Sequence, residues 1–199
     1  MTYRVPSLKY FATLALEGQD MRPWYDWARV EIEMGAPLLG CTPVRLADLL
    51  ALFSPRVSVK RSVTFAVVYQ ASRGEFAPDV TRSVRAAVEH YEKTREIRGV
   101  KTAPFAKALL GDKSAIVLDS WMGVAFKLPN PKWIGDKRPV REAMNRALIR
   151  LSKHLDWPVA EAQAAVWAGT IRRSGPYATA RTIGVLEEIK NLGMGESPF

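Results

Sequence analysis

The sequence predicts a mostly α-helical fold, and three observations carry that expectation. Nearly every long segment of the 199-residue chain repeats its apolar residues with a helical period. The breaks between segments fall on Pro, Gly and capping residues, and no series of alternating strands intervenes. The lack of alternating strands argues against a Rossmann-like nucleotide site, which needs a parallel sheet.

Taken in order, Trp24 to Ile32 crowds positions 24, 27, 28 and 31/32 onto one side after Pro23, which suits an opening turn. Thr42-Pro43 reads as an N-cap followed by an N1 proline, starting a helix from Val44 to Phe53 that is apolar enough to be central. Ser54-Pro55-Arg56 interrupts it, because a proline disfavours helical geometry in the residue before it. Val57 to Ala71 resumes the helical pattern, and Ser72-Arg73-Gly74 marks a loop. Asp79 or Thr81 is positioned to cap the basic helix Arg82 to Lys93.

A further helix is expected between Lys101 and Asp119. The short run Ala115-Ile116-Val117-Leu118 suits either a strand or an extended connector. Pro129 to Asp136, with two prolines and a glycine, reads as the clearest loop. Arg138 to His154, Val159 to Arg172 and Ala178 to Asn191 are helical in period, the last closed by Gly193. The expectation is about eight helices, with no internal repeat and no low-complexity tract.

Composition narrows the class. With 48% hydrophobic residues the chain has enough apolar side chain for one well-cored domain or two small lobes. Its 29 Lys and Arg against 20 Asp and Glu leave a charge of +9, which favours a polyanionic partner, nucleic acid first. The single Cys41 excludes an intramolecular disulfide and a four-cysteine iron–sulfur cluster. His90 and His154 stand far apart without metal-ligand spacing, so no zinc site is expected. Neither a leader-like segment at Met1 to Tyr10 nor a membrane-length apolar run is read, and the expectation is a soluble, cytoplasmic, nucleoid-associated monomer.

Chemistry is suggested by one pair. Gly99-Val100-Lys101-Thr102-Ala103 is followed by Val117-Leu118-Asp119-Ser120-Trp121. A partly desolvated lysine amine can attack an electrophilic carbon, and a carboxylate can stabilise the positive charge that develops. The same residues also read as a solvated cation in a first helical turn and a plain N-cap.

The order of features around this pair resembles the helix-hairpin-helix DNA glycosylases, the HhH-GPD superfamily, and within it the endonuclease III-like branch. A helix ending Leu49-Leu50-Ala51-Leu52-Phe53-Ser54, a turn, a second apolar helix, a basic helix, Gly99-Val100-Lys101-Thr102-Ala103 and the apolar-Asp-Ser-Trp step carry the resemblance, which covers roughly Trp24 to Phe126. It implies a two-lobed helical domain with an active-site cleft between lobes: 43–118 as the central lobe, and 1–42 with 119–199 as the terminal lobe, within one compact unit.

The resemblance further implies base excision and abasic-site cleavage, with Lys101 as Schiff-base nucleophile, Asp119 as essential carboxylate, and no metal or organic cofactor. DNA bearing a damaged or modified base, or an abasic site, is the implied partner. Arg56 falls near the turn that fills the space left by an extruded base, and Arg82, Arg85, Arg98, Gly99 and Lys107 are the implied DNA contacts. Trp24, Trp27 and Trp121 are candidate stacking faces for the base, although each also reads as core. The chain departs from the family at the hairpin: Glu96-Ile97-Arg98-Gly99-Val100 keeps one of two usual glycines, which changes how closely backbone amides can approach a phosphate. Two other readings share these residues: a base-modifying transferase of the hypermodified-thymine kind on the same scaffold, and a non-catalytic DNA-binding domain.

Overall fold

Apolar periodicity becomes helix throughout the computed structural model, which describes residues 4–130, 133–175 and 182–194. The described residues are mostly helical and contain no strand. Their contacts group into two units: one within Met1–Tyr25 and Gly111–Arg181, the other within Asp26–Leu110 and Thr182–Phe199.

The first unit is built around α1 (Leu8–Glu17), which the sequence reading did not assign. Ser7 caps it by accepting from the Tyr10 amide, and a 3₁₀ turn at Gln19–Met21 follows. The helix α2 (Trp24–Leu38) then leads the chain into the second unit.

That unit is organised by α3 (Pro43–Phe53), in which every residue from Leu46 to Phe53 except Asp48 is buried. Thr42 caps α3 through the Arg45 amide, with proline in the first turn as expected. Against α3 pack α4 (Val59–Ala71), α5 (Arg82–Thr94) and α6 (Thr102–Leu109). Ser58 caps α4, so that helix begins two residues later than the apolar pattern suggests. The Phe53 ring lies among Phe65, Tyr69 and Phe76, with centroids 5.6–6.3 Å away.

The chain returns to the first unit at Gly111. Ala115–Leu118 is an extended connector rather than a strand, because no second strand pairs with it among the described residues. It leads to α7 (Ser120–Ala125) and α8 (Trp133–Asp136). The one turn of α8 lies inside the segment expected to be loop. Tertiary contacts override the local breakers: Ile134 is buried, and Arg141 Nη1 donates to the Ile134 and Gly135 carbonyls at 3.0 and 2.8 Å.

The helices α9 (Arg138–Leu155) and α10 (Val159–Arg173) complete this unit. Last, α11 (Val185–Asn191) belongs to the second unit, and the expected start of that helix, Ala178 to Arg181, lies outside the described residues. Among the described residues, eleven α-helices therefore stand where about eight were expected.

The unit boundaries also differ from the sequence reading, since 26–42 and 182–194 group with the middle of the chain. Packing of α11 on α4 and against Gly35 brings these segments together, and a carboxylate ties two of them. Glu31 on α2 accepts from the amides of Ile183, Gly184 and Val185, each at 3.0 Å, and from the Thr182 hydroxyl. It thereby satisfies two of the open amides at the start of α11, those of Gly184 and Val185, where the cap residue is a glycine without a side chain.

Unit one depends on a close approach of α1 and α10. A Cβ on Gly169 would lie 2.1 Å from the Leu14 carbonyl oxygen, and one on Gly18 would lie 2.1 Å from that of Ala165. Neither neighbour is a flexible side chain. Gly169→Ala is therefore expected to force the helices apart and destabilise the protein by about 1–3 kcal/mol. Urea unfolding should show a lower midpoint with an unchanged slope.

Candidate functional site

Lys101 stands at the N-cap position of α6, with a helical backbone and no side-chain capping bond. Lysine is a poor N-cap, and a cation at a helix N-terminus meets the positive pole of the helix. Its placement is set from elsewhere. Nζ donates to the Ser54 carbonyl at 2.9 Å, and the amine lies 5.7 Å from the Phe105 ring centroid. Ser54 closes α3, so the ammonium meets a C-terminal, negative helix end. The fold thus brings together two features singled out separately in the sequence, Lys101 and the Ser54-Pro55-Arg56 turn.

The turn from α5 to α6 presents that lysine. It uses two positive-φ residues, Arg95 at 60° and Gly99 at 125°. The first is an arginine in the left-handed region, where a non-glycine residue costs about 1–2 kcal/mol. Its amide donates to the Tyr91 carbonyl, its guanidinium pairs with Glu92 at 2.8 Å, and it lies over the Tyr91 ring. At Gly99 only glycine fits, because a Cβ would lie 2.4 Å from Thr102 Oγ1, which donates to the Arg98 carbonyl at 2.6 Å.

A polar clamp holds the helix before this turn. Arg45 on α3 donates Nε to Gln70 on α4 at 2.7 Å and both terminal nitrogens to Glu92 on α5 at 3.0 and 2.7 Å. The Arg45 guanidinium holds the Glu92 carboxyl below its ordinary value. Beside it Tyr91 donates to Asp48 at 2.8 Å. Burial, then that hydrogen bond to Asp48, pushes the phenol up to about 12, and burial raises Asp48 as well.

The other expected contacts in this unit differ in availability. Arg56, Arg82, Arg98 and Lys107 are exposed, Arg56 with φ of 62° and Arg98 paired with Glu96 at 3.1 Å. Arg85 is committed to the fold instead: it donates to the carbonyls of Val80, Ala77 and Pro78 and lies over the Phe76 ring. It holds the loop before α5 through Nε and Nη2. Trp27 is half-buried.

In the first unit, Asp119 is the N-cap of α7 and accepts from the Met122 amide at 2.9 Å. The capping role anticipated from sequence is therefore present. Two residues that the sequence reading passed over lie with it. The Tyr25 hydroxyl donates to Gln163 Oε1 at 3.0 Å, and burial, followed by the Asp119 charge, pushes that phenol far above its ordinary range. Gln163 is 3% exposed on an alanine-rich helix, and that isolated polar residue was the available signal. Trp24 is a core residue rather than an open stacking face, packed against Tyr25 and Trp167 with centroids at 5.1 and 5.9 Å. Trp121 is half-buried.

Among the described residues, no group of three or more His, Cys, Asp or Glu side chains is placed to hold a metal ion, and no single helix is long and apolar enough to cross a membrane. A family model described as a family of unknown function (DUF7178) matches residues 9–174. No curated protein and no solved structure matches the chain.

Two outcomes follow for the lysine-bearing unit. Gly99→Ala is expected to cost at least about 1 kcal/mol, read from thermal or urea melting. Glu92 has a folded value below its ordinary 4.5, so its contribution is full above that pH and is lost as pH falls through the lower folded value. Glu92→Gln should therefore be less stable than wild type at neutral pH, with the difference narrowing below about pH 4, in parallel urea titrations.

Proposed function

We propose that this chain, which belongs to the DUF7178 family, is a DNA base-excision glycosylase with abasic-site lyase activity, in which Lys101 is the nucleophile and Asp119 the assisting carboxylate. The observation that carries the reading is the lysine at the head of α6: it follows a turn that only glycine can make and breaks the capping preference of its position, while its amine is held on the Ser54 carbonyl. Natural sequences break local rules chiefly where function requires it. The resemblance of Gly99-Val100-Lys101-Thr102-Ala103 and of the apolar-Asp-Ser-Trp step to the glycosylase motifs supports the same assignment.

In this mechanism the target nucleotide leaves the stack and presents C1′. The unprotonated Lys101 amine forms a bond to C1′ as the glycosidic bond breaks, and the base departs with the bonding electrons and takes up a proton. Opening of the sugar gives an iminium between Nζ and C1′. Loss of a C2′ proton then eliminates the 3′ phosphate, and water releases the enzyme. Asp119, as carboxylate, stabilises the positive charge at C1′ while the base departs. Loss of a proton from the Lys101 ammonium to solvent supplies the lone pair, and release from the Ser54 carbonyl lets the amine turn toward C1′.

Borohydride reduction of the iminium tests this. Wild type should become covalently trapped on DNA carrying an abasic site, and Lys101→Ala should abolish both trapping and strand cleavage while DNA binding largely persists. Asp119→Asn should slow base release, with melting measured beside it because the substitution also alters the α7 cap. Undiminished trapping by folded Lys101→Ala would overturn the nucleophile assignment. A wild type that never traps but adds mass to a base would move the chemistry to base modification.

A further inference from the structure

The +9 charge is unevenly divided between the two units. Met1–Tyr25 with Gly111–Arg181 holds fifteen Lys and Arg against eight Asp and Glu, leaving +7; Asp26–Leu110 with Thr182–Phe199 holds fourteen against twelve, leaving +2. The excess therefore lies mainly in the unit that does not carry the α5–α6 turn.

Within the first unit the acids are largely engaged. Glu17 pairs with Arg173 at 2.5 Å, Asp20 with Arg172 at 2.8 Å, and Glu161 with Arg22 at 2.8 Å and Lys113 at 3.4 Å. Asp112 accepts from Ser114, and Asp119 caps α7. On α9, Glu142 is bound to Arg138 at 2.7 Å. Asp136 and Asp156 lie beyond the two ends of that helix.

What remains along α9 is a row of cations. Its buried face is apolar, comprising Val140, Met144, Ala147, Leu148 and Leu151. Arg146, Arg150 and Lys153 are exposed, spaced four and three residues apart on the opposite face, and have no ion-pair partner among the described residues. At a rise of about 1.5 Å per residue they span about 10 Å of helix. A duplex carries roughly six phosphate charges in that length.

We infer that the outward face of α9, through Arg146, Arg150 and Lys153, binds a nucleic-acid phosphate backbone and supplies more of this protein's salt-dependent affinity than the α5–α6 turn does. The inference rests on the proposed activity only for the choice of DNA as partner; it requires no turnover. A nucleic acid fits better than a lipid surface, because the apolar side of α9 is spent in the core and Ile149 is the one large apolar residue exposed on this helix.

The test is fluorescence anisotropy with a labelled 20-base-pair duplex over a series of salt concentrations. The variant Arg146→Gln/Arg150→Gln/Lys153→Gln should lose about tenfold or more in affinity near physiological salt, and its slope of log affinity against log salt should be shallower by about two to three. Arg98→Gln/Lys107→Gln should change both less. Arg146→Lys/Arg150→Lys, which keeps the charge, should bind within a fewfold of wild type. An unchanged slope for a folded triple variant would overturn the inference, as would wild type binding phosphatidylserine vesicles while ignoring DNA. Should the triple variant fail to melt cooperatively, Arg150→Glu alone decides the matter, with tenfold weaker binding expected and wild-type affinity overturning it. Borohydride trapping reads the activity separately: a catalytic failure with intact, salt-dependent binding leaves this face standing.

Discussion

The α1–α10 contact is the constraint on which the first unit depends. Two glycines, Gly18 and Gly169, let backbone meet backbone, and the surrounding positions of α10 are mostly alanine, so the two helix axes can lie close together. Around that pair a common apolar cluster gathers Phe11 and Leu14 from α1, Met122 and Phe126 from the α7 region, Met144 and Leu148 from α9, and Val166 from α10. Because interiors are close-packed, an added methyl at the contact would be felt by every helix in the cluster. The same packing fixes α7, whose N-cap is Asp119, and buries the Tyr25–Gln163 pair near it. The carboxylate's position is thus a consequence of helix packing and not only of its local capping bond.

The second unit uses polar groups for a comparable purpose. Its core is the buried helix α3, and Arg45 leaves that helix to join Gln70 and Glu92, fastening α4 and α5 together. Half-buried charge is costly unless paired, and here each guanidinium nitrogen has a partner. The end of α5 is fixed in this way, and the turn beyond it places Lys101 at the head of α6. The lysine violates the preference of its position, and the Ser54 carbonyl at the end of α3 compensates. A local conflict resolved by a tertiary contact marks this residue more strongly than its motif does.

Charge adds an independent view. Net charge counts every ionisable residue, whereas affinity for a polyanion depends on cations that the protein has not already used. Arg85 shows the difference: it belongs to the basic helix read from sequence, yet loop carbonyls and an aromatic face occupy it. Arg146, Arg150 and Lys153 drew no attention in sequence because they sit on an ordinary amphipathic helix with an acid close by. Only the pairing of Glu142 with Arg138 leaves that row open.

The sequence by itself determined the helical class, the caps at Thr42 and Asp119, and the break at Ser54-Pro55-Arg56, because apolar period, capping hydroxyls and carboxylates, and proline act over a few residues. It also supplied both members of the candidate catalytic pair. It did not reveal α8, whose breakers are overruled by Arg141, nor the membership of 26–38 of α2 and of α11 in one unit, where Glu31 binds amides 152 to 154 positions away. It left Trp24 open between core and stacking face and read Arg85 as part of a basic surface, because tryptophan and arginine serve core and surface equally well and only their neighbours decide which. Tertiary structure settled those choices: burial and hydrogen-bond partners depend on which groups the folded chain brings together, 5 to 8 positions apart for Arg85 and 138 for Tyr25 and Gln163, and apolar period and capping patterns do not encode them.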